Sequence, residues 1–125
     1  MRILVYFSAA ARRYAIPVEA TVAVRSADGL VPLPGASDGV VGMLAGDPPL
    51  SVLDILGSDG RQVLVLETAG VRFGVLVDHV AGLRRVDEAT IGASPRHDDG
   101  LVTGVINDDA GLVLVTDPRV LAVAL

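Results

Sequence analysis

The sequence predicts an all-β chain made of two small β-barrels produced by an internal duplication, with few and short helices. Three observations carry this expectation. Apolar residues make up 51% of the chain and aromatics only 3%, so the core must be built from Val, Leu, Ile and Ala. These residues come in short β-branched runs punctuated by Gly, Pro and Asp, the signature of strands and turns rather than helices. Finally, RYAIPVEATVAVR at 13–25 and RFGVLVDHVAGLR at 72–84 have equal length and one grammar: Arg, aromatic, small residue, β-branched residue, then Val, an acid and spaced aliphatics closed by Arg.

A shift of 59 positions, which carries Tyr14 onto Phe73, aligns the copies without gaps through their first half. Leu4-Val5-Tyr6-Phe7 falls on Val63-Leu64-Val65-Leu66, two opening strands. Ala10-Ala11 falls on Ala69-Gly70, the expected hairpin turn. Arg13-Tyr14-Ala15-Ile16 falls on Arg72-Phe73-Gly74-Val75, the second strand, and Val18-Glu19 on Val77-Asp78. Val24-Arg25 falls on Leu83-Arg84, in a third strand. The match then returns with a small offset. Val41-Gly42-Met43-Leu44 resembles Val102-Thr103-Gly104-Val105-Ile106, with the glycines 62 apart. Each run meets a turn, AGDPP or NDDAG, and then an apolar strand ending in Asp, Leu50–Asp54 or Leu112–Asp117. Asp54-Ile55-Leu56-Gly57 is expected to form a turn of helix. Asp117 to Val123 is expected to form another, with Asp as cap and Pro at the first helical position. Strands this close in sequence favour a small barrel or sandwich, and two copies of so long a period do not make a solenoid. The chain is thus a single domain, 1–125, with approximate halves 1–60 and 61–125 between which strands can be exchanged.

The motif residues take structural roles first. Tyr14 and Phe73 are expected to plug the ends of their barrels. Ala15 and Gly74 are small because a neighbour comes close, and Gly42 and Gly104 mark bulges or bends. Glu19 and Asp78 read as strand-end acids that cap turns. Ile16, Val18, Leu53, Phe73, Val75, Val77 and Val115 are the predicted core.

Composition excludes several functions. The net charge is -5, and all ten basic residues are Arg. An acidic chain with scattered Arg lacks the basic face that nucleic acid requires. With no Cys there is no disulfide, thiolate nucleophile or Cys-ligated zinc. MRILVYFSAAARR has the basic start and apolar run of a signal sequence. The matching strand inside the second copy favours β-strand instead, and no apolar run has the length of a membrane span. The expectation is a cytoplasmic protein without membrane insertion. No G-x-S-x-G elbow surrounds any Ser, and GSDGR at 57–61 lacks the Lys of a phosphate loop. His97-Asp98-Asp99 is the one patch with metal-ligand residue types, and a solvated loop accounts for it better than a site drawing ligands from fixed elements. With no catalytic set and no cofactor or metal expected, the chain is not an enzyme. Two small barrels side by side leave a groove and exposed strand edges, the means by which such modules bind extended or helical partners.

Five segments in order resemble the CheW-like domain of bacterial chemotaxis. YAIPV at 14–18 resembles the family's strand after the first hairpin, and Val31-Pro32-Leu33-Pro34 echoes its LPLP spacing. VVGMLAGDPPLSVLDILG is similar to its segment leading into P-V-x-D-L. FGVLVDHVAGLRRVDEATI resembles its VD-x-V segment, and LVTGVINDDAGLVLVTDPRVL its closing strands. The resemblance implies two five-stranded, SH3/OB-like β-barrels around a shared hydrophobic core. It also implies a non-catalytic adaptor that couples a chemoreceptor's cytoplasmic tip to the regulatory domain of a CheA-like histidine kinase. Alternatives are a CheW-fold module of another cytoplasmic signalling complex, or a degenerate copy with an altered partner. The family's N-x-R-G is compressed here to Ala45-Gly46, without the Arg, and its V-x-E-I reads Thr21-Val22-Ala23-Val24, with Ala23 in place of Glu. With those charges gone, partner contact is expected on aliphatics: Val22 and Val24 on one strand, and Val41, Gly42, Met43 and Leu44 around the glycine bend.

Overall fold

A computed structural model describes residues 1–33, 39–58, 60–93 and 100–125. Among the described residues twelve strands run in chain order: β1 (Arg2–Ala9), β2 (Arg12–Pro17), β3 (Thr21–Ser26), β4 (Val31–Pro32), β5 (Val40–Leu44), β6 (Leu50–Leu53), β7 (Gln62–Thr68), β8 (Val71–Val77), β9 (His79–Val86), β10 (Gly92–Ala93), β11 (Gly104–Asp108) and β12 (Gly111–Val115). Single 3-10 turns follow β2 and β9, and one short helix, α1 (Pro118–Ala122), follows β12. The Asp117 carboxylate accepts from the Arg119 backbone N–H and caps α1, with Pro118 in its first turn, as the sequence predicts. Asp54–Gly57 is not helical. There the Asp54 carboxylate accepts from the Ser58 N–H, and Gly57 takes a positive φ of 72° that ends the strand in a tight turn.

The strands form two six-stranded sheets. The first has the order β10-β11-β12-β2-β1-β9 and the second β4-β5-β6-β8-β7-β3. Each sheet therefore takes four strands from one copy of the repeat and its opening hairpin from the other. The repeat is visible in the register. Val5 pairs with Ile16 as Leu64 pairs with Val75, and Tyr6 with Ala15 as Val65 with Gly74. The third strands obey it too: Val24 of β3 pairs with Leu64, and Leu83 of β9 with Val5. Even the bulge recurs, between Thr21 and Ala23 in one copy and opposite Val80 and Gly82 in the other. Both hairpins turn on two left-handed residues, Ala10-Ala11 and Ala69-Gly70, the geometry that matches strand twist in two-residue loops.

The expected five-stranded barrels are thus six-stranded sheets, because each copy's opening hairpin is exchanged and a two-residue strand, β10 or β4, is added at one edge of each sheet. Among the described residues no ladder joins the two edges of a sheet. Side chains span from one edge strand to the strand next to the opposite edge instead: Arg84 on β9 reaches Asp108 on β11 at 3.9 Å, and Arg25 on β3 donates to the Ala45 carbonyl just after β5 at 3.1 Å.

Alternation along the hairpins feeds three cores. Leu4, Tyr6, Ala15, Val86, Ile106, Val113 and Val115 fill the hollow of the first sheet. Leu44, Leu50, Val52, Val63, Val65 and Leu76 fill that of the second. Val5, Phe7, Tyr14, Ile16, Leu64, Leu66, Phe73, Val75 and Val77, with Leu53 and Leu121, form the layer shared between them. Both faces of β1, β2, β7 and β8 are buried, so their sequences read as unbroken apolar runs. Tyr14 and Phe73 consequently do not plug barrel ends. They share the central layer, where Tyr14 stacks on Phe7 with ring centroids 5.5 Å apart. The hollow-facing mates are Ala15 and Gly74. A Cβ on Gly74 would lie 2.4 Å from Val63 Cγ1, so an aliphatic side chain excludes it. Of the predicted core, only Val18 is partly rather than fully buried.

Gly42 lies at the bulge of β5, where a Cβ would come within 2.4 Å of the Val31 carbonyl oxygen. Glu19 lies in the 3-10 turn after β2 rather than at a strand end. Asp78 does cap a turn, that of the other copy: its carboxylate accepts from the Ala10 N–H at 3.0 Å and from the Ser58 hydroxyl at 2.7 Å.

Candidate functional site

The two third strands, β3 and β9, are edge strands of different sheets, and an apolar groove of about 280 Å³ lies between them. All of its lining but Val22 pairs off under the repeat: Val5 with Leu64, Thr21 with Val80, Ala23 with Gly82, Val24 with Leu83. The groove therefore sits on the axis relating the copies. Val5 and Leu64 form its floor from the central layer. Val22, Val24 and Leu83 stand at its rim, with Val24 46% and Leu83 62% exposed. Large aliphatics this exposed on adjoining strand edges form a surface suited to a partner.

Of the contact residues expected from sequence, the structure places Val22 and Val24 in this groove. Val41 and Met43 lie on β5, toward the far edge of the second sheet, and do not join it. Leu44 is removed from the contact set: it is 2% exposed and packs in the second hollow, because the alternation that turns Met43 outward turns Leu44 inward. Gly42 is buried against β4 and presents only backbone. Leu83 was not anticipated, although its signal was present, since it is the repeat mate of Val24. Ala23, where the family pattern has Glu, lies in the groove wall, and Ala45 is exposed in the β5–β6 turn.

A polar cluster closes one end of the first hollow. Inward-facing Tyr6, Arg13, Arg84 and Asp108 meet there from β1, β2, β9 and β11. Arg13 donates two bonds to the Asp108 carboxylate, at 2.8 and 2.7 Å. The Arg84 and Arg13 guanidinium carbons lie 5.0 and 6.0 Å from the Tyr6 ring centroid, within reach of a cation–π contact. Burial, and then the Asp108 charge, push the Tyr6 phenol up. The Arg13 hydrogen bonds hold Asp108 well below the usual carboxylate range. A depressed carboxylate stabilises the fold above its unfolded value, and that contribution is lost as pH falls through the folded one. Asp108→Asn is therefore expected to melt below the parent at neutral pH, with the gap narrowing as pH drops below about 4. Thermal melts of both proteins across that range measure it, and a gap constant down to strong acid would show that Asp108 does not act through its charge.

Among the described residues no group of three or more His, Asp or Glu is placed to hold a metal. His97-Asp98-Asp99 lies outside the described residues.

A duplicated β-chain whose hairpins are exchanged around a shared core invites comparison with known proteins. The sequence profile of the CheW-like domain matches residues 4–124. The chain belongs to the CheW-like domain family. Its fold is similar to that of a crystal structure described as the scaffolding protein TtCheW from Thermoanaerobacter tengcongensis, with a TM-score of 0.82 at 20% identity over 92% of this chain and 83% of that one. No curated protein sequence matches at a significant level. CheW-like domains are non-catalytic scaffolds of chemotaxis signalling, so this domain acts by binding rather than by turnover. No helix among the described residues is long and apolar enough to cross a membrane.

Proposed function

We propose that this CheW-like domain is a cytoplasmic coupling adaptor that binds the cytoplasmic tip of a chemoreceptor and the regulatory domain of a CheA-like histidine kinase. The observation that carries the reading is the groove on the axis between the sheets, with Val22, Val24 and Leu83 exposed at its rim. An apolar groove accepts the aliphatic stripe of a partner helix. Ala23, where the family pattern has Glu, leaves the groove wall without that charge, so apolar burial supplies most of the affinity.

The test is a titration of the purified domain against a receptor tip and a kinase regulatory domain encoded beside its gene. Binding is expected to change little between low and high salt, because few exposed charges are neutralised. Binding to neither protein overturns the reading. Steep salt dependence would show that charged groups outside the groove carry the affinity.

A further inference from the structure

The two hollows have equivalent mouths, and only one is filled. The mouth of the first is lined by Tyr6, Phe7, Ser8, Arg13, Ala81 and Arg84, around a residual cavity of about 90 Å³. Under the 59-residue shift these positions become Val65, Leu66, Glu67, Arg72, Val22 and Arg25. All but Leu66 line one pocket of about 460 Å³ at the mouth of the second hollow. The pairings support the equivalence, since Arg25 sits opposite Val63 as Arg84 sits opposite Leu4.

The two mouths keep the same arginines and differ in what stands between them. In the first, the Tyr6 ring lies beneath Arg84 and Arg13. In the second, Arg25 and Arg72 are retained and the ring position is Val65. Asp108, at the end of β11, ties the two arginines of the first mouth together, and the matching position of the second is Gly46, which has no side chain to do so. The charges in the second mouth are already balanced: Glu67 lies 3.7 Å from Arg72, and Asp47 lines the rim. A free anion gains little there. What the second mouth lacks, relative to its mate, is an aromatic ring on an apolar floor of Leu50 and Val65, beside the exposed Val22.

We propose that the pocket lined by Arg25 and Arg72 is a docking site for an aromatic side chain of a partner protein, its ring lying beneath the two guanidinium groups as the Tyr6 ring does in the first sheet. The site goes beyond the groove reading. It shares Val22 and Ala23 with the groove but excludes Val24 and Leu83, so the two surfaces can be tested separately.

The experiment uses p-cresol, the tyrosine side chain in isolation, titrated into the isotope-labelled full chain and followed by amide chemical shifts. Saturable shifts are expected at Val22, Arg25, Val65 and Arg72. Arg25→Ala with Arg72→Ala is expected to weaken binding about five-fold, the sum of two exposed cation–π contacts. Val65→Tyr, which supplies the ring from within, is expected to abolish it while leaving distant shifts unchanged. Leu83→Glu, outside the pocket, is expected to leave p-cresol binding as it is. The paired arginine variant removes exposed side chains together with the Arg25 bond to the Ala45 carbonyl and the Arg72–Glu67 pair; with its ligand-free amide shifts compared with the parent's to check the pocket, it carries the test if Val65→Tyr does not fold. Absence of saturable shifts at these residues overturns the proposal. So does equal affinity for cyclohexanol, which would show an apolar hole indifferent to aromatic rings.

Discussion

Phe73→Ala is expected to remove about 3–5 kcal/mol of stability, the usual range for emptying a large ring site. Phe73 has no exposed surface and belongs to the layer where the two sheets meet. The chain has only two Phe and two Tyr, so no neighbouring ring can swing in to replace it. Its repeat mate, Tyr14, is already stacked on Phe7. The walls around the site are paired strands, β7 and β8 on one side and the β1–β2 hairpin on the other, and ladders of this kind do not collapse readily onto a void. The loss also falls where one sheet holds the other, so a reduced denaturant slope would show that the sheets no longer unfold together. Urea unfolding of Phe73→Ala beside Phe73→Leu measures the effect, with the leucine variant expected to lose much less. A change below about 1 kcal/mol would mean the ring is not a packing element.

The same residue shows what the sequence could and could not express. A strand carries a strict period of two, so the pairing of Val5 with Ile16 and of Leu64 with Val75 follows from aligning the copies and placing their turns. Alternation assigns Tyr14 and Ala15 to opposite faces. It does not say which face meets the hollow and which meets the other sheet, because both are apolar, and Tyr14 and Phe73 were therefore expected at barrel ends. Tyr6, one step away on the adjacent strand, is the ring that closes a hollow. The exchange of hairpins is silent for a related reason. β1 has two neighbours, β2 and β9, and its side-chain pattern is satisfied by any partner with the right face. Loop length fixes the hairpin partner, while the second neighbour is decided by packing across the whole chain.

The candidate surface was half legible. Val22 and Val24 could be singled out because a strand edge carries aliphatics around Ala23, where the family pattern has an acid. Within 41–44 the period-of-two rule removes two residues: four consecutive residues of a strand cannot all face a partner, and Leu44 with Gly42 faces inward. Leu83 required the repeat to be used as a map of exposure as well as of fold. The cluster of Tyr6, Arg13, Arg84 and Asp108 gave no local signal, since its members come from four strands spread over the whole chain and converge only when the sheet curls.

The double variant Val24→Glu with Leu83→Glu is expected to weaken binding to the groove's partner at least about 100-fold, the scale reached when two central apolar contacts are lost together. Each substitution acts twice. It removes an aliphatic side chain from the rim, and it forces a carboxylate into a contact whose floor, Val5 and Leu64, offers no hydrogen-bond donor from a side chain. The two positions are mates across the axis, so a helix lying along the groove meets both. One substitution alone leaves half the groove intact and is expected to cost about ten-fold. Because both side chains are largely exposed in the free protein, the fold should tolerate the change to within about 0.5 kcal/mol, and melts of the free variant separate lost binding from lost structure. The measurement is a titration of parent, single and double variants against the receptor tip and, separately, the kinase regulatory domain. Loss toward one of them assigns the groove to that partner and leaves the other to a different face. Unchanged affinity toward both, in a protein that otherwise binds them, would remove the groove from the coupling surface.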